Sequence, residues 1–418
     1  MAELIVTGGR RLEGSVRIPR SKNSVLPILA AALLCEGESR ICDVPCLSDV
    51  DTSLALLNAV GACACREGTD VLVCAGDQMQ PSVPDSLSGA MRSSVYYIVP
   101  LLYRCGEAHI SFPGGCRMGA RPNNLHIEGL RAMGAEIETH PNTIICRAPK
   151  GLHGANFCLS FPSVGATETL MMAAAFAKGR TVLCGCAKEP EITDLARFLR
   201  RCGARIQGAG GTCMTIDGVE RLKAVAHTPI PDRITAATVL FGVAACGGDV
   251  TLTGVRYSHL NAVLHTLSAM GAELCRPELG VLRIRMEKRP DAAFVTTGVY
   301  PEFPTDAGPL FAAAALQATG ESMIRETIFE NRFACAAEFC RLGAEAHVQN
   351  SRLYINGVSG LKGGLLASQD LRGGAALVIA ALAAQGKSRI TGTEYIARGY
   401  EDIAQLFGRI GAELYWEK

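Results

Sequence analysis

Six stretches of the chain are apolar at almost every position and then stop at glycine. They read LPILAAALLCEG, YYIVPLLYRCG, LMMAAAFAKG, VLFGVAACGG, LFAAAALQATG and ALVIAALAAQG. An apolar surface on all sides predicts helices buried within a domain, since a surface helix carries a single apolar stripe. Between them lies a second helical pattern, and it ends in Gly-Ala six times: LLNAVGA, GLRAMGA, FLRRCGA, TLSAMGA, FCRLGA and LFGRIGA. The glycines are Gly61, Gly134, Gly203, Gly271, Gly343 and Gly411, so the spacing runs from 68 to 73 residues. Self-similarity at a near-constant period is the mark of a repeated architecture. Each unit predicts helix, strand, helix, strand and then a hairpin return such as MTIDGVERLKA or LYINGVSGLKGG. Glycine closes each helix because the left-handed position there suits a residue without Cβ.

Helices inside and sheets outside is the simplest packing of such units, and six units make two domains of three. The expected class is α/β: a two-domain inside-out α/β barrel of six βαβαββ-type repeats, pseudo-threefold in each domain. The last unit ends at GAELYWEK without a hairpin return, while the chain opens on a spare one, LIVTGGRRLEGSVRIP. The expected domains are therefore residues 22–229, and residues 1–21 joined to 230–418. The crossings fall near Arg20 and at HTPIPD, with a cleft between the domains.

Charge then adds a second pattern in step with the first. Lys22 lies fifteen residues before Gly37, Arg92 fourteen before Gly106, and Arg233 fifteen before Gly248. Asp306 and Arg372 stand fourteen before Gly320 and Gly386, and the third unit holds SVGATET in the same slot. The second helices repeat the arrangement with Arg121, Arg332 and Arg398, and with EPEITD in the third unit. These positions open helices, where free N–H groups favour anions. Taken singly, each side chain could be a solvated cap. Together, basic groups at helix N-termini oppose the helix dipole unless an anion lies among them. Such a cluster suits a ligand carrying phosphate and carboxylate, which arginine grips in bidentate fashion. Asp306 is either a helix cap or a base that removes a proton from a substrate hydroxyl. Glu189, Glu191 and Asp232 are expected to pair with basic neighbours and hold them.

Composition narrows the classes. The chain has 418 residues, 48% of them apolar and 19% charged, which describes a well-buried globular protein of more than one domain. A formal net charge of +1 carries no footprint for nucleic acid, and the apolar runs are too short to span a bilayer. MAELIVTGGRRLEG has neither the basic start nor the apolar core of a signal peptide, so a cytoplasmic protein is expected. There are eighteen cysteines and no CxxC pair, which favours free, buried thiols over disulfides or a metal site. Cys116 differs from the rest. It sits in PGGCRMGARP, a glycine loop beside arginines, where neighbouring positive charge favours the reactive thiolate.

These residues resemble a known family. SKN, DVDTS, MRSS, PGGCRMGARP, FPSVGATET, EPEITD, PDRIT, FPTD, ENRF, DLR and RGYEDI, in order along nearly the whole chain, are similar to the UDP-N-acetylglucosamine enolpyruvyl transferases. The resemblance implies two pseudo-threefold domains of buried helices and outer sheets. It also implies transfer of enolpyruvyl from phosphoenolpyruvate to the 3-hydroxyl of UDP-N-acetylglucosamine, with release of phosphate through a tetrahedral intermediate, at the start of peptidoglycan synthesis. By the same resemblance Lys22, Arg121 and Arg398 contact the donor and phosphate, while Arg92 is a candidate for substrate binding from the charge pattern. Arg332 and Arg372, the latter behind Asp370, are the carboxylate and catalytic arginines. Asn23 contacts the sugar and the intermediate, and Asp306 deprotonates the hydroxyl. Arg121, Pro122, Asn123, Asn124, Leu125, Ser163, Val164, Gly165 and Ile328 surround the nucleotide sugar. Cys116 is the mobile-loop thiol that donates a proton and is alkylated by fosfomycin. No cofactor or metal is implied, and the partners are the two small substrates, with neither nucleic acid nor membrane.

Some positions depart from the family pattern. Asn124 stands where aspartate is expected, Ser48 where lysine is frequent, and FPTD runs into Ala-Gly-Pro. The enolpyruvylshikimate-phosphate synthases share fold and donor. Their pattern would place serine after the early lysine and a glycine-threonine stretch before the arginine, where this chain has Asn23 and GAMRSS. A paralogue that binds the nucleotide sugar without turnover is the alternative from another class.

Overall fold

The computed structural model describes residues 2–111, 123–141 and 143–417. They fall into two compact units. One holds the residues up to Pro19 and from Pro231 onward, and the other holds the described residues between Arg20 and Ile230.

In the first unit the helices Arg233–Cys246, Gly308–Ala315 and Leu371–Ala383 each pack against the other two. Every residue from Ile234 to Ala245 and from Gly308 to Ala315 is buried, as an all-round apolar helix requires. Small side chains let the three approach closely. At Gly242 an added Cβ would stand 2.7 Å from the ring of Phe407, so the position admits only glycine without a shift.

Three four-stranded sheets accompany these helices. Their strands, in spatial order, are Phe294–Thr296, Glu321–Arg325, Arg352–Asn356 and Glu345–Gln349; Leu365–Ala367, Gly386–Thr391, Glu3–Gly8 and Glu413–Glu417; and Leu12–Arg17, Gly248–Thr253, Val281–Met286 and Glu273–Cys275. In each sheet the first pair is parallel and the other two are antiparallel. Alternation sets the faces: Val250, Leu252, Leu282 and Ile284 are buried, while Asp249 and Arg283 meet on the outer face at 2.5 Å.

The second unit is built alike. Its core helices are Lys22–Ala32, Val164–Phe176 and the 3₁₀ turn Arg92–Tyr97 running into Ile98–Cys105. Two sheets repeat the same order, Asn156–Cys158, Arg180–Cys184, Cys213–Asp217, Arg205–Gln207 and Ala226–His227, Glu38–Ile41, Asp70–Cys74, Cys63–Glu67. The third has Glu107–Ser111, Thr143–Arg147 and Glu136–Thr139, with Ser82 bridging His109 in parallel where the other sheets carry a fourth strand. A short parallel pair, Leu222–Lys223 with Cys35–Glu36, completes the unit. The six helix-closing glycines, from Gly61 to Gly411, all have φ between 85° and 115°.

Two expectations need correction. The sheets are separate and open, not closed into barrels. A barrel needs one ladder running all the way round, whereas edge strands such as Asn156–Cys158 and Arg205–Gln207 pair on one side only. Nor are the thiols mostly buried: of the seventeen described cysteines seven are exposed and five buried. No helix among the described residues is long and apolar enough to cross a membrane.

Candidate functional site

In the first unit the site begins at a turn. Thr305–Ala307 forms a single 3₁₀ turn ahead of the buried helix, and Pro309 presets its first positions. Asp306 makes no helix cap there. Its carboxylate lies between two guanidiniums instead: Oδ1 accepts from Arg332 Nη2, and Oδ2 accepts from Arg372 Nε at 3.0 Å, with Nη2 2.9 Å away.

Arg332 is wholly buried and spends its Nε on the Thr305 carbonyl at 2.9 Å, so one guanidinium holds two successive residues of the turn. Arg372 sits in the first turn of its helix, whose N–H groups at Arg372 and Gly373 are capped by Asp370 at 3.0 and 2.9 Å. Arg233 opens a neighbouring helix, with its guanidinium 5.7 Å from the ring of Tyr300. Burial pushes the Asp306 carboxyl up, but Arg372, Arg332 and Arg233 outweigh it and hold it well below the ordinary carboxylate range.

Behind this group stands Glu326. Its Oε1 accepts from the N–H groups of Ile328 and Phe329 at 2.7 and 3.1 Å, and its Oε2 accepts from the Thr305 hydroxyl at 2.9 Å. It thereby ties the turn carrying half-buried Ile328 to the turn carrying Asp306. Asp232 caps its own helix through Ile234 and Thr235 and also favours the charge on Arg372. Arg398 is half-buried two residues before Tyr400, whose hydroxyl meets that of Thr238 at 2.7 Å.

In the second unit Lys22 is the first residue of its helix, and its ammonium lies 2.5 Å from Asp49 Oδ2, both side chains being almost buried. Next to it in the chain, Asn23 is half-buried, and Ser24 donates to Asp194 at 2.5 Å. Asp194 is fully buried and also accepts from the Ile230 N–H at 3.0 Å, with Arg197 and His227 at 3.3 Å.

Arg92 is half-buried at the head of its 3₁₀ turn, and one turn on Tyr96 donates to Glu168. Glu168 is completely buried. Burial, helped by Glu191 and Glu189, raises its carboxyl well above the usual range, against the hydrogen bond from Tyr96. His126 is buried, and among the described residues neither ring nitrogen has a well-formed hydrogen bond. Burial and then Arg92 press its pKa down to about 4, so it is neutral at pH 7. An added Cβ at Gly165 would stand 3.0 Å from His126 Nε2, so glycine there leaves the ring room.

Ser163 caps its helix by accepting from Ala166 N at 3.3 Å, and Val164 and Gly165 are half-buried. Asn123 and Leu125 are buried, while Asn124 is exposed and turns to Glu128 one helical turn on, at 3.4 Å. Cys116, Arg121 and Pro122 lie outside the described residues. Among the described residues no cluster of His, Cys, Asp and Glu has metal-site geometry.

The structure thus brings Asp306, Arg332, Arg372 and Arg233 together. Sequence reasoning missed Glu326, Asp49, Tyr96, Glu168 and His126 as members of these groups, while Asp194 lies in the EPEITD stretch that the charge pattern marked. The motifs DVDTS and FPSVGATET contain Asp49 and Glu168, but nothing in their spacing marks either as buried.

The chain matches, over residues 6–407, the family model described as EPSP synthase (3-phosphoshikimate 1-carboxyvinyltransferase). The chain belongs to this family. It is 43% identical over 416 residues to UDP-N-acetylglucosamine 1-carboxyvinyltransferase 1 of Symbiobacterium thermophilum, covering 98% of this chain and 94% of that protein. It is 41% identical over 415 residues to UDP-N-acetylglucosamine 1-carboxyvinyltransferase 2 of Caldanaerobacter subterraneus subsp. tengcongensis, covering 99% of each. Among solved structures it is similar to the enolpyruvyl transferase NikO from Streptomyces tendae, with a TM-score of 0.90 at 25% identity over 99% of this chain and 98% of that one. The EPSP synthase from Acinetobacter baumannii, at 20% identity with a TM-score of 0.74 over the whole of both chains, shares the fold. Family membership makes the chain a transferase, as its motifs led one to expect.

Proposed function

We infer that this chain transfers the enolpyruvyl group of phosphoenolpyruvate to the 3-hydroxyl of UDP-N-acetylglucosamine and releases phosphate. The observation that carries the reading is identity above 40% across nearly the full length to transferases named for that acceptor. The recurrence of one strand order in five four-stranded sheets, with a three-stranded sixth bridged by Ser82, supports six copies of one unit with pseudo-threefold order in each domain. The use of a nucleotide sugar supports a place in peptidoglycan synthesis, in the cytoplasm.

The geometry of Asp306 supports a sequence of events. With Arg332 and Arg372 on its two oxygens, the carboxylate is a weak base. The donor brings a phosphate and a carboxylate, which compete for those guanidiniums. Once the arginines turn to the donor, Asp306 loses the charges that depress it, and it can take the proton from the sugar hydroxyl. The oxygen adds to the central carbon of the enol and a proton goes to its CH2 carbon, making a methyl. Removal of a proton from that methyl, with departure of phosphate from the central carbon, restores the double bond. Lys22, held by Asp49, is a second cation for the phosphate. Cys116 is the proposed proton donor to the CH2 carbon. Arg121 and Arg398 are proposed for the phosphate, and Asn23, Asn123, Ser163 and Ile328 for the acceptor.

The test is inorganic phosphate release from phosphoenolpyruvate, run with UDP-N-acetylglucosamine and in parallel with shikimate 3-phosphate. Release with the nucleotide sugar alone, abolished by fosfomycin, is expected. Release with shikimate 3-phosphate instead would overturn the assignment of the acceptor. Binding of the nucleotide sugar without release would overturn the activity.

A further inference from the structure

Three cysteines lie in one row across a sheet of the second unit. In Arg180–Cys184 and Cys213–Asp217, which run antiparallel, Cys184 is the register partner of Cys213. On its other side Cys184 is the parallel partner of Cys158, at the end of Asn156–Cys158. The adjacent register pair, Leu183 with Met214, is buried, so alternation turns the cysteines to the outer face. There Cys158 and Cys213 are exposed and Cys184 is partly so. The sulfurs of Cys184 and Cys213 stand 2.7 Å apart, nearer than two unbonded sulfurs ordinarily rest. Directly opposed residues on antiparallel strands have Cα atoms about 4.5–5.5 Å apart, inside the range of roughly 4.4–6.8 Å that a disulfide spans.

We propose that Cys184 and Cys213 are a reversible thiol–disulfide site on the outer face of this sheet, formed by exchange with low-molecular-weight disulfides, with Cys158 as a competing third thiol. The chemistry balances in two exchanges. The Cys213 thiolate attacks a small disulfide, forming a mixed disulfide and expelling one small thiolate. The Cys184 thiolate then attacks the Cys213 sulfur and expels the second. Two protein thiols are oxidised, one small disulfide is reduced to two thiols, and the two protons pass to the departing thiolates. The hydrogen bond with Cys213, then burial and the crowding of sulfurs, hold the Cys184 thiol above its ordinary pKa. The more exposed Cys213 therefore attacks first. Once the bond exists, the Cys158 thiolate can attack the Cys184 sulfur and release Cys213, so the site exchanges readily. Register alone does not single out this pair. Cys63 and Cys74 are also opposed, but the Cys74 thiol turns to the Ala75 carbonyl at 3.6 Å.

The test equilibrates the purified full-length chain with reduced and oxidised glutathione at a series of ratios. Free thiols are then alkylated with iodoacetamide, and non-reduced peptides are mapped by mass spectrometry. The expected result is a Cys184–Cys213 link, two hydrogens lighter, that rises with the proportion of oxidised glutathione and vanishes with dithiothreitol. In Cys213→Ser the link is expected to move to Cys158–Cys184. Cys184 and Cys213 both alkylated or glutathionylated at every ratio, with Cys63–Cys74 linked instead, would overturn the proposal. The wild-type map decides this without any variant having to fold.

Discussion

Two carboxyl groups, one in each unit, show how little burial alone decides. Glu168 has no exposed surface and Asp306 keeps about a quarter of its side chain exposed, and burial pushes both toward the protonated form. They end on opposite sides of the ordinary range. Asp306 has three guanidiniums around it, two in direct contact, and stays ionised. Glu168 faces Glu191, Glu189 and a tyrosine, and its carboxyl is held well above that range. The signs and number of the neighbouring charges set the outcome: they favour the ionised form of one group and the protonated form of the other.

The sharpest way to break that contrast is Asp306→Asn. Phosphate release is expected to fall by about 10²–10⁴-fold, the usual worth of a positioned general base. The variant also leaves Arg332 buried beside a neutral amide, a loss of order 3 kcal/mol or more for a broken buried pair. Added inorganic phosphate should therefore raise the melting temperature of the variant more than that of the wild type, because the anion replaces the missing carboxylate. Equal shifts would show that the arginines do not hold the anion.

The next test uses pH. His126 is held at about 4 against an unfolded value near 6.5, so between these limits the unfolded chain binds the extra proton. Its contribution is fully present above pH ~6.5 and is lost as pH falls toward 4, by roughly 3 kcal/mol. His126→Gln should flatten the fall of stability across that window in urea titrations. A slope unchanged from the wild type would mean that the ring is hydrated or paired in solution. The depressed Asp306 carboxyl acts in the same direction at lower pH. Its contribution is present above the unfolded aspartate value of ~3.9 and is lost below it.

Glu168→Gln should change least among the buried groups. The native carboxyl is pushed toward the neutral form, and an amide of the same shape can accept the Tyr96 hydrogen bond, so stability near pH 5 should move by less than about 1 kcal/mol. The raised carboxyl makes wild-type stability fall as pH rises above an unfolded value of ~4.3, and the variant should lack that fall. A large loss at every pH would mean that Glu168 is ionised and paired. Smallest of all, Asn124→Asp should alter stability by no more than about 0.5 kcal/mol, since the side chain is exposed and meets only Glu128 one turn away. A thermal melt checks it.

By itself the sequence determined the repeated buried helices, their spacing and much of the charge pattern. All-round apolar helices must be buried, glycine must close a helix that turns left-handed, and a period near 70 residues repeats both. Those are local or statistical properties of the chain, and Lys22, Arg92, Arg233 and Arg372 were legible as openers of buried helices for the same reason. Only the tertiary structure decided that the sheets stay open, that Asp306 is clamped by arginines 26 and 66 residues further on, and that Glu326 ties two turns together. It alone decided that three cysteines spaced along the chain share one row on a sheet. The physical reason is common to all of these. A side chain's charge state and partners depend on groups brought within a few ångströms by folding, and no periodicity along the chain records which groups those are.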